Sequence, residues 1–250
     1  MPPGPQPLDQ LLVARGLAAD RTQARALIMA GRVSGRDRRY TKPGLRLPAA
    51  ADLRVRPAAP YVSRAGEKLA AALDAWPIGV EGRVCLDVGA STGGFSDCLL
   101  QRGAACVYAV DVGYGQLAAA LRDDRRIVVM ERTHVRDLPP LDPAPSLLTV
   151  DVSFLSARAA LAAAVPRAAP AADVVVLVKP QFELPRDDVG EDGVVTDPAL
   201  HAAAVGLVLA WAGERGWRRA GVVASPLRGP AGNREFLCWL KAPEAAGGPS

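Results

Sequence analysis

The sequence predicts a Rossmann-like α/β domain built on a doubly wound parallel sheet, preceded by a small α+β domain. Three observations carry that expectation. From Arg83 onward, seven short apolar, β-rich runs alternate with helical stretches. The first of these runs leads through a glycine-rich loop straight into a helix. Charge also divides the chain at Pro60: residues 1–60 hold 11 Lys+Arg against 4 Asp+Glu, and the remainder holds 19 against 22. With 250 residues and 50% hydrophobic side chains, the chain is long and apolar enough to bury a sizeable core, which excludes wholesale disorder.

The first domain, residues 1–60 with its linker, reads as two short helices followed by small strands. Leu8, Leu11 and Leu12 recur at helical spacing and stop at Gly16. Asp20 and Gln23 form a capping box for a second helix through Ala24, Leu27 and Ile28, which Gly31 closes. Arg15, Arg21, Arg25 and Arg32 lie on or beside these helices, and Arg36, Arg38 and Arg39 follow in the next turn. Arg64, at the opening of the second domain, joins them as a candidate RNA contact. Clustered cations are what phosphate neutralisation needs, whereas a solubilising arginine surface is the plainer alternative. The stretch PLDQLLVARGLAADRTQARALIMAGRV resembles the S4 RNA-binding domain, a resemblance that covers roughly residues 7–56 and implies an RNA partner.

In the second domain, residues 61–250, the expected strands are 84–88, 107–110, 127–130, 147–150, 174–178, 221–224 and 236–240. The run 174–178 is continuously apolar, as a strand covered on both faces must be. Helices are expected at 96–102, ended by Gly103, and at 198–215. Ligands of such sheets sit at the carboxyl ends of the strands. The first strand ends in Asp87-Val88-Gly89-Ala90-Ser91-Thr92-Gly93-Gly94-Phe95, a loop without the G-x-G-x-x-G spacing of the dinucleotide fingerprint. The second ends in Asp111, placed to accept both hydroxyls of a ribose.

This loop, with an acid at the end of the next strand, resembles the class I methyltransferases that bind S-adenosylmethionine; another nucleotide cofactor is the alternative. The resemblance implies cofactor contacts from Asp87, Gly89, Ser91, Thr92, Gly93, Gly94, Phe95 and Asp111. It also implies an adenine pocket after the third strand, at Thr133 and His134.

Two further strand ends carry charge, Asp151 and Lys179; Lys68 before the sheet and Glu235 near its last strand complete a Lys-Asp-Lys-Glu set. In order, spacing and strand context this set resembles the tetrad of the FtsJ-like ribose 2′-O-methyltransferases. A ribose hydroxyl is a poor nucleophile and must lose or share its proton as it attacks a methyl carbon. Lys179 is the candidate to accept that proton, Asp151 and Glu235 to hold the two ammonium groups, and Lys68 to orient the hydroxyl. This chemistry requires no metal. Cys85, Cys98, Cys106 and Cys238 form no C-x-x-C pair, and the two histidines, His134 and His201, stand far apart, so a zinc site is not expected.

The whole assembly resembles the TlyA-type, or haemolysin A, family of rRNA cytidine-2′-O-methyltransferases over about residues 7–241. Its signatures stand here as Tyr61-Val62-Ser63-Arg64-Ala65-Gly66-Glu67-Lys68-Leu69, as the loop from Asp87 to Phe95, as Val110-Asp111-Val112-Gly113-Tyr114-Gly115-Gln116-Leu117, as Asp151-Val152-Ser153-Phe154 and as Lys179-Pro180-Gln181-Phe182-Glu183. That resemblance implies methylation of cytidine riboses in ribosomal RNA, with rRNA or ribosomal subunits as partner. The alternatives are a non-enzymatic RNA-binding ribosome assembly factor and a methyltransferase acting on a non-RNA substrate. A membrane-active haemolysin ranks last: the amino terminus lacks a basic segment followed by an apolar core, and the alanine-rich tracts are too broken or too short to cross a bilayer. A cytoplasmic monomer with reduced thiols is therefore expected. Residues 183–197 read as a solvated connection, with a lid as the alternative, and the tail after Ala242 as disordered.

Overall fold

The computed structural model describes residues 4–56 and 59–243. Beyond Pro243, the tail expected to be disordered lies outside the described residues, as do Pro57 and Ala58 of the linker. The chain forms two compact units, residues 1–59 and 60–250.

The first unit runs β1 (Gln6–Pro7), α1 (Leu8–Ala14), α2 (Arg21–Met29), β2 (Val33–Ser34), β3 (Arg39–Tyr40), β4 (Arg46–Leu47) and β5 (Arg54–Val55). Strand β1 pairs with β4, and β2 lies between β3 and β5, all antiparallel. Leu8, Leu11 and Leu12 of α1 meet Ala24, Leu27 and Ile28 of α2 in one buried cluster, as the helical spacing requires. The Asp20 carboxylate accepts the Gln23 N–H at 2.7 Å, but the return bond differs from the capping-box expectation. Gln23 Oε1 accepts the N–H of Ala19, one residue earlier than a reciprocal box would use.

Asp9, on the buried side of α1, anchors two of the arginines. Its Oδ2 accepts Arg25 Nε at 2.9 Å and Arg21 Nη2 at 3.0 Å. Burial pushes the Asp9 carboxyl up, but the two guanidinium groups outweigh it and hold it below the usual carboxylate range.

The second unit continues with α3 (Ala65–Ala75), β6 (Val84–Val88), α4 (Gly94–Gln101), β7 (Cys106–Val110), α5 (Ala119–Arg122), β8 (Ile127–Met130), β9 (Leu147–Val150), α6 (Ala157–Ala164), β10 (Asp173–Val178), α7 (Pro180–Glu183), α8 (Pro198–Gly213), β11 (Arg218–Ala224) and β12 (Phe236–Lys241). The strands form one sheet in the order β11-β12-β10-β9-β6-β7-β8. Five strands, β6 to β10, are mutually parallel, and β12 runs antiparallel to both its neighbours. The sheet is thus mixed, where a parallel one was expected. No helix separates β11 from β12, and strands joined by a loop alone can pair only antiparallel.

The alternation of β10 explains its unbroken apolar run. Val174, Val176 and Val178 pack with Leu161 of α6 and Val208 of α8 on one face. Val175 and Leu177 pack with Leu69 of α3 and Leu99 of α4 on the other. Burial on both faces makes every position of the strand a core position. The chain crosses from one side of β6 to the other between β8 and β9, so the carboxyl ends of β6 and β9 flank the switch point where such sheets hold their ligands.

Candidate active site

The loops that follow β6, β7, β8 and β9 enclose a cleft of about 550 Å³ at the switch point. Gly89, Ser91, Asp111, Thr133, His134 and Asp151 line it, with Val110, Val112, Val135 and Leu155 as apolar wall. A smaller cavity of about 180 Å³ adjoins it and shares Gly89, Ser91, Asp151 and Ser153. Thr92, Phe95, Ser63 and Lys179 line the smaller one only. A cleft with an apolar wall and two carboxylates leads directly to a cavity with an amine, as a nucleoside-bearing donor and an acceptor group would need.

Asp111 is locked by backbone amides. Its Oδ2 accepts the Ser91 N–H at 2.8 Å, and its Oδ1 accepts the Gly113 N–H at 2.7 Å. To offer that amide, Ser91 takes a left-handed backbone with φ 49°. Each carboxylate oxygen keeps a further acceptor position for a ribose hydroxyl. Thr133 donates its hydroxyl to the Glu131 carbonyl at 3.0 Å, and His134 Nδ1 accepts the Arg136 N–H at 3.1 Å, which caps the short turn at residues 135–137. Both side chains face the large cleft from these fixed positions.

Other loop residues have duties different from those expected. Asp87 lines neither cavity; it is fully buried and accepts the hydroxyls of Ser96 at 2.6 Å and Thr149 at 3.0 Å. Burial pushes its carboxyl up to about 6, against the two hydroxyl bonds. Asp87 therefore supports the loop from below, away from both cavities. Gly94 also lines neither cavity: a Cβ there would strike the Ser63 hydroxyl and the Gly66 amide, so the missing side chain lets the start of α3 pass over α4. Gly93, likewise outside both linings, is the N-cap of α4. At Gly89, φ is 84° and a Cβ would meet the Asp151 carbonyl. Gly93 and Gly94 thus answer to the protein's own packing, whereas Gly89 both packs against Asp151 and lines the two cavities.

The four charged groups resolve into two ion pairs. Lys179 Nζ lies 2.7 Å from Asp151 Oδ1 and donates to Ser153 Oγ at 3.0 Å. Lys68 Nζ donates to Glu235 Oε2 at 2.5 Å, with both residues buried. The register explains the meeting: β10 and β12 pair Val178 with Phe236, so the next residues, Lys179 and Glu235, leave the sheet side by side. Helix α3 supplies Lys68. Lys68, expected to orient the hydroxyl, has its ammonium on Glu235, and neither residue lines either of the two cavities.

The arginines are likewise more engaged than a free basic rim would be. Arg15 donates to the Ala51 carbonyl at 2.6 Å and to the Ala49 carbonyl, and Arg32 to the Arg56 carbonyl at 2.9 Å. Arg21 and Arg25 share Asp9, and Arg38 lies over the Tyr40 ring at 5.2 Å. Carbonyl bonds leave the charge in place, so Asp9 alone subtracts from this group. Arg36, Arg39 and Arg64 are exposed.

Several residues here escaped the sequence reading. Gln116 lines the large cleft, where its Oε1 accepts the Ser91 hydroxyl at 3.2 Å. Phe154, 94% exposed with φ 63°, stands at the cleft with its ring 5.5 Å from that of Phe182. Glu183 is buried and accepts the Ser156 hydroxyl, the Ala157 amide and Arg158 Nε, which ties α7 to the start of α6. Asn233 accepts the Val195 N–H and donates to the Gly193 carbonyl, both at 2.9 Å, and His201 Nε2 lies 2.8 Å from the Val195 carbonyl. The segment 183–197 is therefore pinned at its far end, where a solvated connection was expected. A buried acid or amide in a motif such as K-P-Q-F-E or G-N-R-E was the available signal for Glu183 and Asn233.

The Rossmann-like sheet and its cleft fit the methyltransferase class, and the family model for the FtsJ-like methyltransferases matches residues 61–242. Over 94% of its length the chain is 49% identical to 89% of the 16S/23S rRNA (cytidine-2′-O)-methyltransferase TlyA of Mycobacterium tuberculosis. It is 36% identical to hemolysin A of Brachyspira hyodysenteriae, over 92% of this chain and 97% of that one. A solved structure from Streptococcus thermophilus that carries a hemolysin name is 38% identical and superposes with a TM-score of 0.73, covering 97% of this chain and 91% of that one. The chain belongs to the FtsJ-like methyltransferase family and, within it, groups with the TlyA proteins. It is an enzyme, and its methyl donor is S-adenosylmethionine, whose adenosine the Asp111 carboxylate and the apolar wall fit. Asp111→Ala is expected to weaken adenosylmethionine binding by about ten- to a hundredfold, the worth of one or two charge-assisted bonds, as read by calorimetry. Unchanged affinity would remove the ribose assignment.

Proposed function

We propose that the protein methylates the 2′-oxygen of a cytidine ribose in ribosomal RNA, and that residues 7–56 act as an S4-type RNA-binding domain. One observation carries the reaction: Lys179, paired with Asp151, stands in the small cavity that opens from the cofactor cleft. The bound donor supplies an electrophilic methyl carbon. Lys179 takes the ribose proton as the oxygen attacks, and Asp151 stabilises the ammonium that results. Lys68 and Glu235, behind that pair, hold the start of β12 against α3. Phe154 offers an exposed aromatic face on which a base can stack.

The TlyA relative of M. tuberculosis is named for cytidine in 16S and 23S rRNA, and this supports the choice of base and of RNA. The excess of arginine before Pro60 supports phosphate contact, which positions RNA without reading its sequence. Among the described residues no helix is long and apolar enough to cross a membrane and no cluster of metal ligands occurs. We read the enzyme as a cytoplasmic monomer that uses no metal.

The test is transfer of labelled methyl groups from adenosylmethionine to purified ribosomal subunits, with the product mapped by mass spectrometry. Label on a cytidine ribose is the expected result. Absence of label on either subunit and on free rRNA, despite measurable cofactor binding, would favour the assembly-factor or non-RNA reading.

A further inference from the structure

We infer that Ser153 is a positioning residue for the transfer step, the second anchor that aims Lys179 at the acceptor oxygen. The inference rests on the proposed role of Lys179 as proton acceptor. It starts from the shape of an amine. Beyond its bond to Cε, a lysine nitrogen has three tetrahedral positions, filled by hydrogens or by its lone pair. Asp151 Oδ1 at 2.7 Å pairs with the nitrogen by charge, without hydrogen-bond alignment, and so does not fix its orientation. Ser153 Oγ, accepting at 3.0 Å, takes one of the three positions and is the directional anchor. Asp151, Ser153 and Lys179 line the same small cavity, and the remaining positions of the amine are left for a substrate.

That arrangement limits where the lone pair points. In the neutral amine, one N–H satisfies the Ser153 oxygen, because a lone pair set against it would forfeit a hydrogen bond. The lone pair is left with the other positions. In the transfer step a new bond forms between O2′ and the methyl carbon, and the bond from that carbon to sulfur breaks. Its electron pair stays on sulfur, which becomes an uncharged thioether. The proton of the hydroxyl passes to Lys179 Nζ, and the resulting ammonium keeps its hydrogen bond to Ser153 and its charge pairing with Asp151 while another N–H faces the product oxygen. With Asp151 alone, the amine can turn about the Cδ–Cε and Cε–Nζ bonds and its lone pair samples directions away from the cavity.

The backbone is built to bring this hydroxyl to its place. Ser153 sits three residues past the end of β9, and Phe154 directly after it has φ 63°, a conformation that a bulky side chain rarely adopts. Such strain at a loop tip beside a reactive amine is the kind retained where a side chain must be aimed. Ser153 is itself exposed to the cavity, so its hydroxyl fills no space in the core that a substitution would empty.

The experiment compares full-length wild type, Ser153→Ala, Ser153→Thr and Lys179→Ala in methyl transfer to ribosomal subunits. It measures kcat, KM for the RNA and adenosylmethionine affinity by calorimetry. For Ser153→Ala, kcat at saturating adenosylmethionine is expected to fall about tenfold, the worth of one hydrogen bond to a charged group, with KM for the RNA unchanged. Ser153→Thr, which keeps the hydroxyl, is expected to recover most of the rate. An unchanged or higher kcat in Ser153→Ala, a loss that falls on KM, or a threonine variant as slow as alanine overturns the inference. If Lys179→Ala retains the wild-type rate, or the wild type transfers nothing to RNA, the proposed function fails and the role of Ser153 with it. If Lys179→Ala is inactive while Ser153→Ala is not impaired, the role of Ser153 alone is lost.

Discussion

Lys179→Ala abolishes methyl transfer, lowering the rate by about 10²–10⁴, while adenosylmethionine affinity stays at the wild-type level. The expectation follows from where the amine stands. Lys179 lines the small cavity and not the large cleft, so its removal takes away the proton acceptor without touching the contacts of the nucleoside. Lys179→Arg separates base from charge: a guanidinium still pairs with Asp151 but cannot take a proton near neutral pH, so this variant is expected to be inactive as well. Single-turnover transfer with labelled donor, beside calorimetric titration of the cofactor, measures both quantities. An active arginine variant would mean that Lys179 works through its positive charge alone. Loss of cofactor affinity along with activity would mean that it is a structural residue.

The second large effect is on stability. Lys68→Met is expected to destabilise the methyltransferase unit by about 3–5 kcal/mol, because it strands the buried Glu235 carboxylate without its partner. For a unit of this size that corresponds to a fall of roughly 10 °C in Tm. Replacing both members, with Lys68→Met and Glu235→Leu together, is expected to restore much of the loss, since two apolar side chains of similar volume leave no charge behind. Thermal unfolding of the two single variants and the double variant forms the cycle that isolates the pair. A Lys68→Met protein as stable as wild type would show that water reaches Glu235, and would return Lys68 to the exposed, substrate-facing role expected from its place in the motif. The two large predictions thus divide the four charged groups by duty: one pair faces the reaction, and the other holds the sheet to α3.

Much of this was legible in the order of residues. The seven strands stand where the apolar runs are, within a residue or so for most, because a buried strand announces itself by its own composition. The positions of Asp111, Asp151 and Lys179 followed from a rule about strand ends, which needs only the strands to be found. The helix after the glycine loop and the cap at Asp20 were local signals and were found locally.

What failed to appear in the sequence has a common cause. Asp87 looks like a cofactor contact until Ser96 and Thr149 are seen closing over it, and Thr149 comes from a strand 62 residues away. Gly94 looks like room for a ligand until α3 is seen to occupy that room. Lys68 and Glu235, 167 residues apart, carry no mark that they will meet each other before either meets a substrate. The sequence by itself determined the periodic and the local: which segments bury which faces, where strands end, which residue types gather there. Only the tertiary structure decided which charge faces which, since a charged or polar side chain takes its role from the partner brought to it, and that partner comes from a distant strand or helix. Periodicity along the chain holds no record of that distance, whereas an ion pair or hydrogen bond exists only within about 3 Å of its partner.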